Sequence, residues 1–160
     1  NYIIKNGVIR NFLINRENSI RYNLKPTGNG RRESYKYNST DRMTNTYLDN
    51  GKIPFIEIIK SVSNGIYATT LSCGTVNKKD KMYSFSVEEG YLIKNGEIIF
   101  PIKNIIISGR IDELLNNIKT VGNDLNFQIG GCIGESGIVP ISVGCPTVLI
   151  DKLFINSNRL

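Results

Sequence analysis

Two Asn-Gly pairs constrain the fold of this chain more than any other feature. The run Tyr2-Ile3-Ile4-Lys5-Asn6-Gly7-Val8-Ile9 is echoed by Tyr91-Leu92-Ile93-Lys94-Asn95-Gly96-Glu97-Ile98. In both copies Asn-Gly separates two β-prone runs. A two-residue type I′ turn needs positive φ at both central positions, which Asn and Gly reach at the least steric cost. The pattern predicts two hairpins, around residues 2–14 and 87–107. A duplication would produce this echo, and so would two hairpins obeying the same turn chemistry independently.

Most other apolar segments, 66–71, 82–87, 98–107, 126–129 and 148–155, are rich in Ile, Val, Tyr and Phe and read as strands. Two short stretches carry helical spacing instead. Phe55, Ile58, Ile59 and Val62 follow Pro54 at a first helical turn. Ile111, Leu114, Leu115 and Ile118 form a stripe in which Asp112 and Glu113 favour the N-terminal end, with Gly122 beyond as a stop. The expected class is α+β and β-rich, with antiparallel sheets, sandwich- or barrel-like, joined by hairpins and accompanied by two short helices. At 160 residues the chain has the size of one domain, so residues 1–160 are read as a single domain.

Between the hairpins, residues 23–51 are rich in Asn, Ser, Thr, Gly and Arg. A loop that long inside a compact domain is unusual. Met43, Tyr35, Tyr37 and Tyr47 within it lead us to expect partial ordering by a partner or by further chain. The charge is also uneven: residues 1–60 hold 11 Lys+Arg against 5 Asp+Glu, and the remainder 9 against 9. A basic face near Arg31, Arg32 and Arg42 suits nucleic acid, an acidic peptide or another subunit, and equally suits a solvated surface.

The chain contains no histidine. That excludes a complete Ser-His-Asp triad, a Cys-His pair or a histidine zinc site on these residues. Three cysteines, Cys73, Cys132 and Cys145, with no C-x-x-C, write neither a disulfide framework nor a four-ligand zinc site. A reduced, cytoplasmic protein is expected. No apolar run approaches the roughly 20 residues that span a bilayer, so no membrane partner is expected. The first residues resemble a strand rather than a signal peptide, and we expect a domain of a longer chain.

Two glycine-rich segments are chemical candidates. Gly130-Gly131-Cys132-Ile133-Gly134-Glu135-Ser136-Gly137 lacks the Gly-Lys-Ser/Thr of a P-loop and the closing glycine of a nucleophile elbow. It reads as a flexible loop holding one thiol. On residue type alone Cys132 is more often a small buried residue than a ligand, and that holds more strongly for Cys73 and Cys145. In Thr27-Gly28-Asn29-Gly30-Arg31-Arg32, converging N–H groups and two arginines suit a carboxylate or phosphate, while a surface turn accounts for the same residues. Arg31 and Arg32 are the candidate substrate or anion contacts.

These two segments, with Arg42-Met43-Thr44-Asn45-Thr46-Tyr47, Gly65-Ile66-Tyr67-Ala68, Glu89-Gly90-Tyr91-Leu92-Ile93, Val121-Gly122-Asn123-Asp124-Leu125 and Gly144-x-Pro146, resemble the C-terminal region of the TldD/PmbA family in order and separation. Family members are often labelled modulators of DNA gyrase. The resemblance implies a zinc metallopeptidase that cuts unfolded or extended peptides and works as a homo- or heterodimer with a TldD/PmbA-like subunit. It implies a zinc held by two histidines on an upstream helix, which also carries a glutamate, and by one cysteine of the C-terminal region. The family cysteine lies eight residues before a Val-Pro proline, as Cys132 lies eight before Pro140. The zinc-ligand role therefore falls on Cys132, no residue here is assigned a catalytic role, and the upstream metal-helix region lies outside these residues. No zinc is expected on this fragment alone, which should be inactive. Where the family reads Cys-Gly-Lys-Asp/Glu-Gly-Gln, this chain has Cys132-Ile133-Gly134-Glu135-Ser136-Gly137, without the Lys and the Gln. Rival readings are a non-catalytic dimerisation or interaction module and a nucleic-acid or gyrase-associated binding domain. The second of these lacks a recognition helix or aromatic RNA-binding motif.

Overall fold

Both Asn-Gly pairs form the turns expected of them. In the computed structural model, which describes residues 1–157, Asn6 and Gly7 lie at φ 53° and 74°, and Asn95 and Gly96 at 52° and 79°. The first turn joins β1 (Ile4–Lys5) to β2 (Val8–Ile9). The second joins β7 (Met82–Lys94) to β8 (Glu97–Ile102). The chain is strand-rich, with several antiparallel sheets, three short helices and no closed barrel among the described residues. It divides into two compact units, one of residues 1–48 and 126–145, the other of residues 49–125 and the described residues from 146 onward.

In the second unit, β6 (Asn64–Asn77) pairs along its length with β7. The other side of β7 is covered by β8 over residues 90–94 and by β9 (Ile105–Arg110) over residues 82–87. The apolar run 98–107 is thus two collinear strands, broken where Asn104 turns to φ 59°. Residues 148–155 also divide, into β13 (Val148–Ile150) and the start of β14 (Phe154–Ser157). β13 pairs with β10 (Ile118–Val121) and β14 with β9. Tyr83, Val87 and Ile93 of β7 are buried, as is Ile105, the register partner of Val87. The two expected helices form as α2 (Phe55–Lys60), which buries Ile58 and Ile59, and α3 (Ile111–Asn116), each shorter than its apolar spacing suggests: Val62 lies beyond the first, and Ile118 belongs to β10 rather than to the second. The β7–β8 turn docks on the end of α2, where Asn95 N–H donates to Ser63 O at 2.7 Å and Gly96 N–H to Val62 O at 2.8 Å.

The first unit departs further from the expectation of two helices. A third, α1 (Arg16–Tyr22), has no buried residue and so no apolar stripe. Its ends make it: the Asn15 side chain accepts from Asn18 N–H at 2.7 Å, and Asn23 takes the left-handed conformation at φ 51°. The polar stretch 23–51 is organised by its own chain. It contributes β3 (Gly30–Arg31) and β4 (Thr40–Asp41), which pair with each other, and β5 (Asn45–Tyr47). β5 lies parallel to β12 (Gly137–Cys145), which is antiparallel to β11 (Asn126–Gly134). The Tyr47 and Phe127 rings meet edge-on at 5.3 Å over Gly144, where a Cβ would fall 2.7 Å from the Phe127 ring.

Candidate functional site

The glycine-rich segment around Cys132 is a strand, not the flexible loop its composition suggests. Ladder hydrogen bonds are made by the backbone, so glycines 130, 131 and 134 extend as readily as any residue once β12 is there to pair with them. Cys132 stands opposite Val139, two residues before the strand ends at Gly134. Val139 is 2% exposed, and Cys132 shares its face. The thiol is free and half-buried. The opposite face is exposed and apolar, with Ile129 at 92% and Ile133 at 81% exposure.

The hairpin tip is gripped by residues of the basic stretch that holds Arg31, Arg32 and Arg42. Arg42, at the end of β4, is 6% exposed. Its Nη1 donates to Ser136 Oγ at 2.7 Å and to Gly137 O at 3.0 Å, and its Nη2 donates to Cys132 O. Ser136 is fully buried and also accepts from Thr40 Oγ1 at 2.9 Å. From the other side, Glu33 N–H donates to Ser136 O at 2.9 Å, and Glu33 Oε2 accepts from Ile138 N–H at 2.7 Å. Gly137 closes the turn at φ 85°, where a side chain would be strained and its Cβ would lie 2.2 Å from Glu33 Oε2.

Arg42 is itself held from behind. Its N–H donates to Asn29 O at 2.9 Å, and its carbonyl accepts from Asn29 Nδ2 at 3.1 Å. Asn29 is buried, and its Oδ1 accepts from Thr27 Oγ1 at 2.7 Å. The Thr27–Arg32 segment therefore frames Arg42. Arg31 donates from Nη1 to Met43 O and from Nη2 to Pro140 O, both at 2.7 Å. Arg32 is exposed and, among the described residues, donates to the Tyr37 carbonyl at 3.4 Å. Of the two candidate anion contacts, Arg31 already has two protein acceptors, and Arg32 has the freer guanidinium.

The remaining motifs lie in the other unit and form part of its frame. Tyr67 and Tyr91 are register partners whose rings stack at 6.4 Å, and Phe55 lies 5.1 Å from Tyr67. Tyr91 OH donates to Glu89 Oε1 at 2.7 Å, and that bond with the adjacent carboxylate charge raises the Tyr91 pKa. Burial, then Asp124 and Glu89, raise that of Tyr67. Both phenols therefore stay protonated donors at neutral pH. Asp124 accepts from Thr147 N–H at 2.8 Å and Oγ1 at 2.6 Å. Cys145 ends β12 and is exposed, while the side chain of Cys73 lies outside the described residues.

The chemistry of the donor set decides what metal role the chain can fill. Among the described residues there is no group of three or more His, Cys, Asp or Glu that could hold an ion. One half-exposed thiol on a braced strand fits a single soft ligand to zinc, with the other ligands coming from elsewhere. No helix of the described residues is long and apolar enough to cross a membrane.

Comparison with known proteins gives a consistent result. The family described as the PmbA/TldA metallopeptidase C-terminal domain matches residues 1–157. The chain is 41% identical over 157 residues to a metalloprotease TldD homolog of Buchnera aphidicola from Acyrthosiphon pisum, covering 97% of this chain and 32% of that protein. It is 33% identical over 151 residues to a zinc metalloprotease TldD homolog of Saccharolobus solfataricus, covering 94% and 34%. A Thermotoga maritima crystal structure, described as a candidate modulator of a DNA gyrase, superimposes with a TM-score of 0.77 at 28% identity, covering 96% of this chain and 32% of that one. The chain thus spans about a third of the length of these relatives.

Proposed function

The chain belongs to the PmbA/TldD metallopeptidase family, and from that premise we propose that it is the C-terminal domain of a TldD-like zinc peptidase to which Cys132 contributes a zinc ligand. The observation that carries the reading is the hairpin. It holds a free, half-buried thiol on a strand whose tip is fixed by Arg42, Thr40 and Glu33. The Saccharolobus relative, a zinc metalloprotease TldD homolog, supports zinc as the metal. Zinc, when bound, polarises a scissile carbonyl and lowers the pKa of water.

This chain's own share of the work is to present the sulfur and form part of the substrate cleft. A thiolate is a strong, soft donor, and fixing its strand removes the entropy loss that a loop ligand would suffer on binding metal. Among the described residues β11 pairs with β12 alone, which leaves the N–H and C=O groups of its outer edge without a strand partner there. An extended peptide can add there through main-chain hydrogen bonds with little side-chain selectivity. Arg32, exposed and lightly held, is the better of the two arginines for a peptide carboxylate. The partner is a second TldD/PmbA-like subunit, identical or related, and the setting is the cytoplasm.

Cys132→Ser in the full-length protein tests the reading. Zinc content and peptidase activity on an unfolded polypeptide should both fall severely. Values of both near those of the parent would overturn it.

A further inference from the structure

We propose that Arg42 is the positioning residue for the Cys132 ligand, an inference that rests on the reading of Cys132 given above. The tip carries Gly134 and Gly137 and so has little side-chain packing of its own, and Cys132 is only two residues from the end of β11. Arg42 closes that tip by bonding one acceptor on each strand, Cys132 O and Gly137 O, and the Ser136 hydroxyl between them. Two of the three are main-chain carbonyls, so the contact sets backbone position directly, and the Cys132 side chain follows from its own Cα.

The guanidinium is suited to this and an ammonium is not. Its planar fork presents donors in fixed directions to several acceptors at once, whereas lysine offers a point charge on a flexible stem. Burial makes the arrangement expensive. Arg42 takes part in none of the ion pairs among the described residues, so a cation has been removed from water for neutral acceptors alone. Well-packed apolar side chains would hold the turn at lower cost but could not bond two carbonyls. The buried Ser136 hydroxyl adds a further acceptor for the same guanidinium. Asn29 and Thr27 complete the chain of contacts by fixing the Arg42 backbone.

The test uses the full-length protein with cobalt(II) in place of zinc, so that thiolate ligation is read from the sulfur-to-cobalt charge-transfer absorption. Affinity is measured by chelator competition, and the folded fraction by near-UV circular dichroism. Arg42→Lys should weaken cobalt(II) binding by roughly 10–100-fold, as loss of an outer-shell partner does. It should also reduce the charge-transfer intensity per bound cobalt with the protein still folded. A merely structural arginine would lower the melting temperature and leave that intensity unchanged. If Cys132→Ser keeps the band, the ligand reading fails and this proposal fails with it. If Cys132→Ser abolishes the band while Arg42→Lys keeps both affinity and intensity, only the role of Arg42 is overturned. Should Arg42→Lys not fold, Ser136→Ala decides: a several-fold loss of affinity with a weaker band supports the proposal, and parental values of both overturn it.

Discussion

The Asp124 carboxylate is pulled in two directions. Partial burial raises its pKa, but hydrogen bonds from the Thr147 hydroxyl and amide and from its own backbone amide outweigh that and hold it below the ordinary carboxylate range. A lowered folded-state pKa gives stability that is fully present above the unfolded value and is lost as pH falls through the folded one. We therefore expect Asp124→Asn to be less stable than the parent at neutral pH, with the difference shrinking as the pH is taken below the carboxylate range. Urea midpoints at neutral and acid pH measure this, and a pH-independent difference would contradict it. The arginines show what single residues withhold. Arg31, Arg32 and Arg42 look alike in a basic, polar stretch, yet one bridges two carbonyls, one is exposed and one is buried. Their partners lie up to 109 residues away, beyond any local pattern.

At the scale of elements, turns and helix starts with local signals formed as expected, while the limits of strands and helices, and segments without such signals, did not. Asn-Gly produced its turns, and apolar spacing produced α2 and α3, because those preferences act between near neighbours. Helix α1 has no apolar stripe and is defined by caps: Asn15 at its start, Glu17 in its first turn, Arg21 in its last and Asn23 beyond. An Asn pair flanking an acidic-to-basic run was the available signal. Asn15→Ala should destabilise the protein by about 0.5–2 kcal/mol through loss of the cap. Guanidinium unfolding with an unchanged slope checks this, and an unshifted midpoint would show that α1 owes nothing to Asn15. The strand at 130–134 was hidden for a different reason. Glycine has poor strand propensity, and pairing with β12 overrides it.

For the whole molecule, the absence of histidine retains its meaning at finer resolution. These residues offer one candidate sulfur, Cys132, and no histidine, and among the described residues no group of three or more His, Cys, Asp or Glu could enclose a metal. The isolated 160-residue chain should therefore hold zinc no better than a single thiol and retain far less than one equivalent after dialysis. Tight stoichiometric zinc by elemental analysis would refute that. The sequence by itself determined the β-rich class, both hairpin turns and the family resemblance, because each follows from residue type or short-range spacing. Only the tertiary structure decided that the polar stretch packs on its own chain, that β5 joins β12 in parallel, and that Arg42 is buried against the carbonyl of Cys132. Those outcomes depend on which distant backbone groups need a donor after the chain folds. A buried carbonyl can take its partner from any element brought within reach, and reach is a property of the fold.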